Sequence, residues 1–147
     1  MASSRLEFVP KTSLEAYFQQ YHQIDIALDP FPYSGGTTTC DALWMGVPVV
    51  TLHGKTAVGR GGVTIYGQMG LSDWVSLDTA AYIDRACQLA DNKDALAYWR
   101  RELRERMLNS PLTNGPAFAR DFEQVMRTMW RAWCDDHQPV GHSLSTA

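Results

Sequence analysis

Two glycines and three threonines, Gly35-Gly36-Thr37-Thr38-Thr39, stand where an apolar run ends and a helical one begins, and a carboxylate, Asp41, follows one turn into the helix. Upstream lies Asp25-Ile-Ala-Leu-Asp29; downstream lies Ala42-Leu-Trp-Met-Gly-Val-Pro-Val-Val-Thr51. The whole segment reads as strand, glycine turn, helix, strand. A helix that opens on threonines directly after glycines gathers free backbone N–H groups, hydroxyls and the positive end of a helix dipole at one point. Those are the parts of a phosphate site. Gly35 and Gly36 allow positive φ and let a ligand approach the backbone. Thr37 and Thr38 offer N–H and hydroxyl donors suited to a diphosphate, and Asp41 can accept hydrogen bonds from ribose hydroxyls attached to it. The same residues also suit an ordinary α/β turn, with threonine as a cap and Asp41 favouring the dipole. The residue types alone leave both readings open.

Composition bounds what surrounds this turn. With 147 residues, 45% of them hydrophobic and 20% charged, the chain can bury one core. A net charge of −3 and the lack of a basic stripe argue against a nucleic-acid partner. The longest apolar runs, such as residues 47–52, are too short for a membrane span, and Met1-Ala-Ser-Ser-Arg-Leu-Glu7 has no apolar signal core. Cys40, Cys87 and Cys134 are odd in number and far apart, which fits buried thiols in a reducing cytoplasm and no metal. His22, His53, His137 and His142 show no ligand or triad spacing.

The elements that must position the turn follow from periodicity. Residues 5–9 alternate polar and apolar up to Pro10 and predict a strand. A helix over about 13–21, capped by Thr12 or Ser13, precedes a strand at 24–28. A helix at 38–45 closes on Gly46, and residues 48–52 form a strand apolar on both faces. A loop containing Arg60, Gly61 and Gly62 leads to a third helix ending near Met69, and 74–77 is a last short strand. Helices at 79–90, capped by Asp78, and at 93–108 follow. The charge run Arg100-Arg-Glu-Leu-Arg-Glu-Arg106 reads as a solvated face. Residues 117–134 are an amphipathic helix carrying Phe118, Phe122, Val125, Met126, Met129, Trp130 and Trp133. Strands alternating with helices predict a partial Rossmann-like three-layer α/β domain with about four parallel strands. The divisions expected are 1–113 for this domain, 114–135 for a closing helix and 136–147 for a flexible tail.

The run Asp-Ile-Ala-Leu-Asp-Pro-Phe-Pro-Tyr-Ser-Gly-Gly-Thr-Thr-Thr-Cys-Asp-Ala-Leu-Trp-Met-Gly-Val-Pro-Val-Val-Thr-Leu, residues 25–52, resembles the C-terminal catalytic region of the SPINDLY-type O-linked N-acetylglucosamine transferases of bacteria. Phe8-Val-Pro10, Gly59-Arg60, Gly70-Leu71, Arg106-Met-Leu-Asn-Ser-Pro-Leu112, Phe118-Ala-Arg-Asp121 and Met129-Trp-Arg-Ala-Trp133 add to it, so the likeness spans about residues 4–134. The resemblance implies a GT-B fold, two Rossmann-like lobes with the active site between them, often behind tetratricopeptide repeats. It implies transfer of N-acetylglucosamine from UDP-GlcNAc to protein Ser or Thr hydroxyls, with inversion and without a metal. On this likeness Thr37 and Thr38, beside Gly35 and Gly36, bind the donor diphosphate and Asp41 binds its ribose. Pro10, Lys11, Tyr17, Thr39 and Arg60 are weaker donor-site candidates, Arg60 as either a structural tie or a direct contact.

The chain also departs from the family pattern. Gly36 stands where some relatives carry a His. The family's phosphate-clamping lysine precedes this region, and its candidate bases and acceptor groove lie in the other lobe. The expectation is therefore the C-terminal half of a donor-binding lobe with no catalytic residue of its own, binding UDP weakly and inactive alone. The protein acceptor would come by way of the missing lobe, and the last helix could instead pair two copies. Two other readings stand beside it. One is a non-catalytic nucleotide-binding or dimerising protein-interaction module. The other is a UDP-glucose-using transferase of the same fold.

Overall fold

Val49 and Val50 are buried, and a strand covered on both faces suits the middle of a parallel sheet. In the computed structural model, which describes residues 5–137, they begin the central strand β2 (Val49–Leu52). β1 (Ala27–Leu28) lies on one side, with Ala27 opposite Val49, and β3 (Val75–Ser76) on the other, with Val75 opposite Thr51. All pairings are parallel and the order is β1-β2-β3. The α/β expectation holds, with three strands where about four were expected.

Residues 5–9 are where the count differs. Residues 6–13 form no regular element, and Leu6, Phe8 and Val9 are exposed. Alternation prepares a strand but supplies no neighbour to bond with, and none of the described residues pairs with this segment. β1 is likewise only two residues long where 24–28 was expected. Ala27 donates to the Pro48 carbonyl (2.9 Å), and Asp29, just past β1, donates to the Val50 carbonyl (2.9 Å).

β3 begins too late to reach Val49. Tyr66 takes over there: its hydroxyl donates to the Val49 carbonyl (2.6 Å) and accepts from the Val49 N–H (3.0 Å). The ring is wholly buried, and that burial raises its pKa and keeps the proton on the oxygen. One phenol thus satisfies both backbone groups that a longer β3 would have paired.

Helices cover the sheet. α1 (Leu14–Gln20) is capped by Ser13, which accepts from the Ala16 N–H (3.3 Å). α2 (Thr37–Trp44), α3 (Gly61–Gln68) and α4 (Thr79–Asp91) follow β1, β2 and β3 in turn, so their N-termini lie on the carboxyl side of the sheet. Asp78 caps α4 through the Ala81 N–H (2.8 Å), as its position predicts. α5 (Lys93–Leu108) is capped by Asn92 and buries Leu103 and Met107. α2 stops at Gly46, which adopts φ +78°, the left-handed region that glycine enters most easily. A Cβ there would also strike the Arg100 carbonyl of α5.

The Arg100 to Arg106 run is not a uniformly solvated face. Arg100 donates to the carbonyls of Tyr21 (3.3 Å) and Ile24, and Arg104 donates to the Trp44 carbonyl (2.7 Å) at the end of α2. The guanidinium of Arg104 also stands 5.3 Å from the Trp44 ring centre. Helical charge spacing does not disclose these ties, because the acceptors come from elements far back in the chain.

The chain divides into two compact units, Met1–Thr113 and Asn114–Ala147. The second holds α6 (Gly115–Asp136), which Asn114 caps through the Ala117 N–H (3.1 Å). Phe118 and Phe122 stack at 6.1 Å and Trp130 and Trp133 at 5.3 Å, and all four rings are exposed. α6 runs on to Asp136; the tail expected beyond it falls almost wholly outside the described residues. No helix among the described residues is long and apolar enough to cross a membrane.

Candidate functional site

Asp29 leaves the sheet directly after β1 and is 3% exposed. One carboxylate oxygen accepts the Gly35 N–H (2.6 Å) and the other the Thr51 hydroxyl of β2 (2.6 Å). Its carbonyl accepts the Tyr82 hydroxyl of α4 (3.0 Å). A buried carboxylate held by two short hydrogen bonds makes a stiff anchor. It fixes where the chain turns into α2. Residue types alone pointed to Asp41 and passed over Asp29; the available signal was a carboxylate closing an apolar strand.

Gly35 is required for a different reason from the one expected. Among the described residues, positive φ occurs at Gly46 and Gly70, and neither Gly35 nor Gly36 has it. A Cβ on Gly35 would instead sit 2.5 Å from the Thr39 hydroxyl, 3.0 Å from that of Thr38 and 3.1 Å from an Asp29 carboxylate oxygen. The turn is too tight for a side chain. Gly36 is the N-cap of α2, with φ −123° and ψ −84°, and no side chain caps the helix. Thr37 and Thr38 are exposed and open α2 on the carboxyl side of the sheet, where the first-turn amides of a helix have no intrahelical partner. Thr39 is 3% exposed and packs into the turn against Gly35.

Ser34 joins this turn to the next one. Its buried hydroxyl donates to the Val58 carbonyl (2.7 Å) and accepts from the Gly61 N–H (3.0 Å). Gly61 consequently lies against the Gly35 carbonyl, and the exposed Arg60, immediately before α3, stands on the same rim as Gly35.

Asp41 is half-buried on α2. Tyr17 of α1 donates to its Oδ2 at 3.0 Å, and the phenol oxygens of Tyr17 and Tyr21 are 2.6 Å apart. Burial first, then these hydrogen bonds, raise the Tyr17 pKa, so its proton stays on the oxygen. Cys40 beside Asp41 is also raised, by burial and then by the Asp41 charge, so its thiol is a poor nucleophile.

A cavity of about 940 Å³ opens between residues 7–12, α1, β1 and the start of α2, within the size range of small-molecule sites. Pro10, Lys11, Tyr17, Thr38 and Thr39 are in its wall. Gly35, Gly36, Thr37, Asp41 and Arg60 are not. Asp41 joins it through Tyr17, whereas Arg60 stands on the α3 side of the turn. Among the described residues no cluster of His, Cys, Asp or Glu is arranged to hold a metal ion.

The family model for glycosyl transferase family 41 matches residues 1–122. The chain is 40% identical over 136 residues to a protein of Solanum lycopersicum named probable UDP-N-acetylglucosamine–peptide N-acetylglucosaminyltransferase SPINDLY, covering 92% of this chain and 15% of that one. A like-named protein of Hordeum vulgare is 39% identical over 141 residues, again covering 15% of its length. Among solved structures, a lysine-to-methionine mutant of Thermobaculum terrenum O-GlcNAc transferase superposes with a TM-score of 0.85 at 38% identity, over 92% of this chain and 26% of the other. The chain thus spans well under a third of the relatives it matches. Its strands and helices reproduce part of their GT-B catalytic region. With the resemblance of residues 25–52 carried by a family match over most of the chain, this protein belongs to glycosyl transferase family 41, with SPINDLY and the O-GlcNAc transferases.

Proposed function

We propose that this chain holds the nucleotide of a UDP-sugar donor, UDP-GlcNAc, for transfer of N-acetylglucosamine to protein Ser or Thr hydroxyls by the whole enzyme. One observation carries the reading: an exposed helix N-terminus with no side-chain cap, on the carboxyl side of a parallel sheet, with a carboxylate one turn further in. Diphosphate oxygens accept from the amides and hydroxyls of Thr37 and Thr38, with the α2 dipole favouring their charge. Arg60 adds a positive charge on the same rim. Asp41 accepts from the ribose hydroxyls, and the cavity beside Pro10, Lys11 and Tyr17 has room for the rest of the nucleoside.

In the transfer itself, a hydroxyl oxygen attacks the anomeric carbon as the bond to the diphosphate breaks. Negative charge grows on the departing diphosphate, and preorganised donors lower the barrier by meeting that charge. This chain's share is the helix end. On this reading the isolated chain binds nucleotide weakly and transfers nothing on its own. No metal is part of the scheme. Three free thiols fit a reducing cytoplasm.

Titration calorimetry of UDP and UDP-GlcNAc against the chain and its Asp41→Ala variant tests this. Expected is binding in the millimolar range that Asp41→Ala weakens. Absence of any binding at millimolar nucleotide, or equal binding by both proteins, would remove the donor-site reading.

A further inference from the structure

Tyr17 lies on α1, and Tyr21 lies one turn later in the single 3-10 turn (Tyr21–Gln23) that continues it. Their rings meet edge to face at 5.3 Å. A neutral phenol has one proton to donate and lone pairs to accept with. The proton of Tyr17 goes to Oδ2 of Asp41 at 3.0 Å. The contact of 2.6 Å between the two phenol oxygens must then be filled by the proton of Tyr21. The direction of the chain is therefore set: Tyr21 donates to Tyr17, and Tyr17 donates to Asp41. Each donor in such a chain polarises the next and strengthens the terminal bond. Tyr21 is buried and Tyr17 half-buried, so neither hydroxyl is free to turn away to water at low cost. Among the described residues the chain engages Oδ2 alone and directs no donor at Oδ1.

Resting on the donor-site reading above, we infer that Tyr17, supported by Tyr21, is a positioning residue that sets the specificity of Asp41 for a ribose diol. It holds one carboxylate oxygen and so turns the other toward the ligand. A carboxylate fixed in this way accepts from hydroxyls at one place. It discriminates a ribonucleotide from one that lacks those hydroxyls, because only the former pairs the waiting oxygen. The role is distinct from a contact with the nucleotide. Tyr17 acts through Asp41, and Tyr21 acts through Tyr17.

The experiment titrates UDP and dideoxy-UDP, which lacks both ribose hydroxyls, against the chain and its Tyr17→Phe, Tyr21→Phe and Asp41→Ala variants. Phenylalanine keeps both rings in place, and circular dichroism and thermal melting report on folding. Tyr17→Phe is expected to weaken UDP about threefold to tenfold, the loss of roughly one hydrogen bond, and to leave dideoxy-UDP unchanged. Tyr21→Phe moves the same ratio in the same direction by less. In an Asp41→Ala background, Tyr17→Phe produces no further change. Should Tyr17→Phe melt out, Tyr21→Phe carries the test, since Tyr21 reaches Asp41 only through Tyr17 and the dideoxy-UDP titration reports any direct contact with the nucleoside. Equal loss for both nucleotides, or no loss for either, overturns the inference. If Asp41→Ala meanwhile still erases the discrimination, the donor-site reading stands without it. A chain that binds neither nucleotide, or whose discrimination survives Asp41→Ala, overturns the donor-site reading and this inference together.

Discussion

Replacing Asp29 measures how firmly the candidate site is built. Its carboxylate joins Gly35 in the turn to Thr51 in the central strand by two bonds of 2.6 Å, in a place 3% exposed. Asp29→Ala leaves the Gly35 N–H without its acceptor and the wholly buried Thr51 hydroxyl without a partner. The unsatisfied buried hydroxyl costs about 1–3 kcal/mol and the half-buried amide about 1–2 kcal/mol, so the loss is about 2–5 kcal/mol before relaxation. Asp29→Asn costs less. Its amide oxygen still accepts from Gly35 and its NH₂ can donate to the Thr51 oxygen, so the loss is mainly charge assistance, about 1–2 kcal/mol. Urea unfolding followed by tryptophan fluorescence is the assay. With a slope of about 1.5 kcal/mol per molar, Asp29→Ala lowers the midpoint by more than about 1.3 M and Asp29→Asn by less than that. Thr51→Val closes a double-mutant cycle, and the coupling expected between the two positions is about 1.5–3 kcal/mol. Additivity of the two substitutions within about 0.5 kcal/mol would refute the anchor, since residues that share no bond behave in that way.

Two further outcomes follow from the same contacts. The chain loses stability in alkali. Burial raises the pKa of Tyr17, Tyr66 and Tyr82, so the native state favours their neutral form; that stabilisation is complete below the unfolded value near 10 and is lost as pH rises past it, with the raised Cys40 thiol acting in the same direction. Urea midpoints on either side of pH 10 check this, and Tyr66→Phe should flatten the alkaline fall while lowering the midpoint at neutral pH. Gly35→Ala drives a methyl group against the hydroxyls of Thr38 and Thr39 and is expected to reduce both stability and UDP affinity, whereas Gly36→Ala, with nothing within 4 Å of its Cβ position, loses only the N-cap preference for glycine over alanine, about 1 kcal/mol. Equal melting temperatures for the two variants would contradict the crowding at Gly35.

Much of the local structure was legible because it is decided by near neighbours. Asp78 caps α4, Gly46 ends α2 and α5 spans Lys93–Leu108 as periodicity predicts, since caps and helical faces depend on residues three or four positions apart. The Gly-Thr turn stood out for the same reason. Tertiary structure decided the rest. Residues 5–9 alternate as a strand should, yet a strand exists only with a partner, and none of the described residues provides one. Gly35 is a glycine because Thr38, Thr39 and Asp29 crowd it, which no dihedral preference could announce. Asp29, Thr51 and Tyr82 meet only once the sheet and α4 have packed, as do Tyr17, Tyr21 and Asp41. The order of residues along the chain specified which groups could bind a nucleotide. Folding determined which of them face outward together and which are held in the wall behind, because hydrogen bonds between distant segments form only when burial has brought those segments into contact.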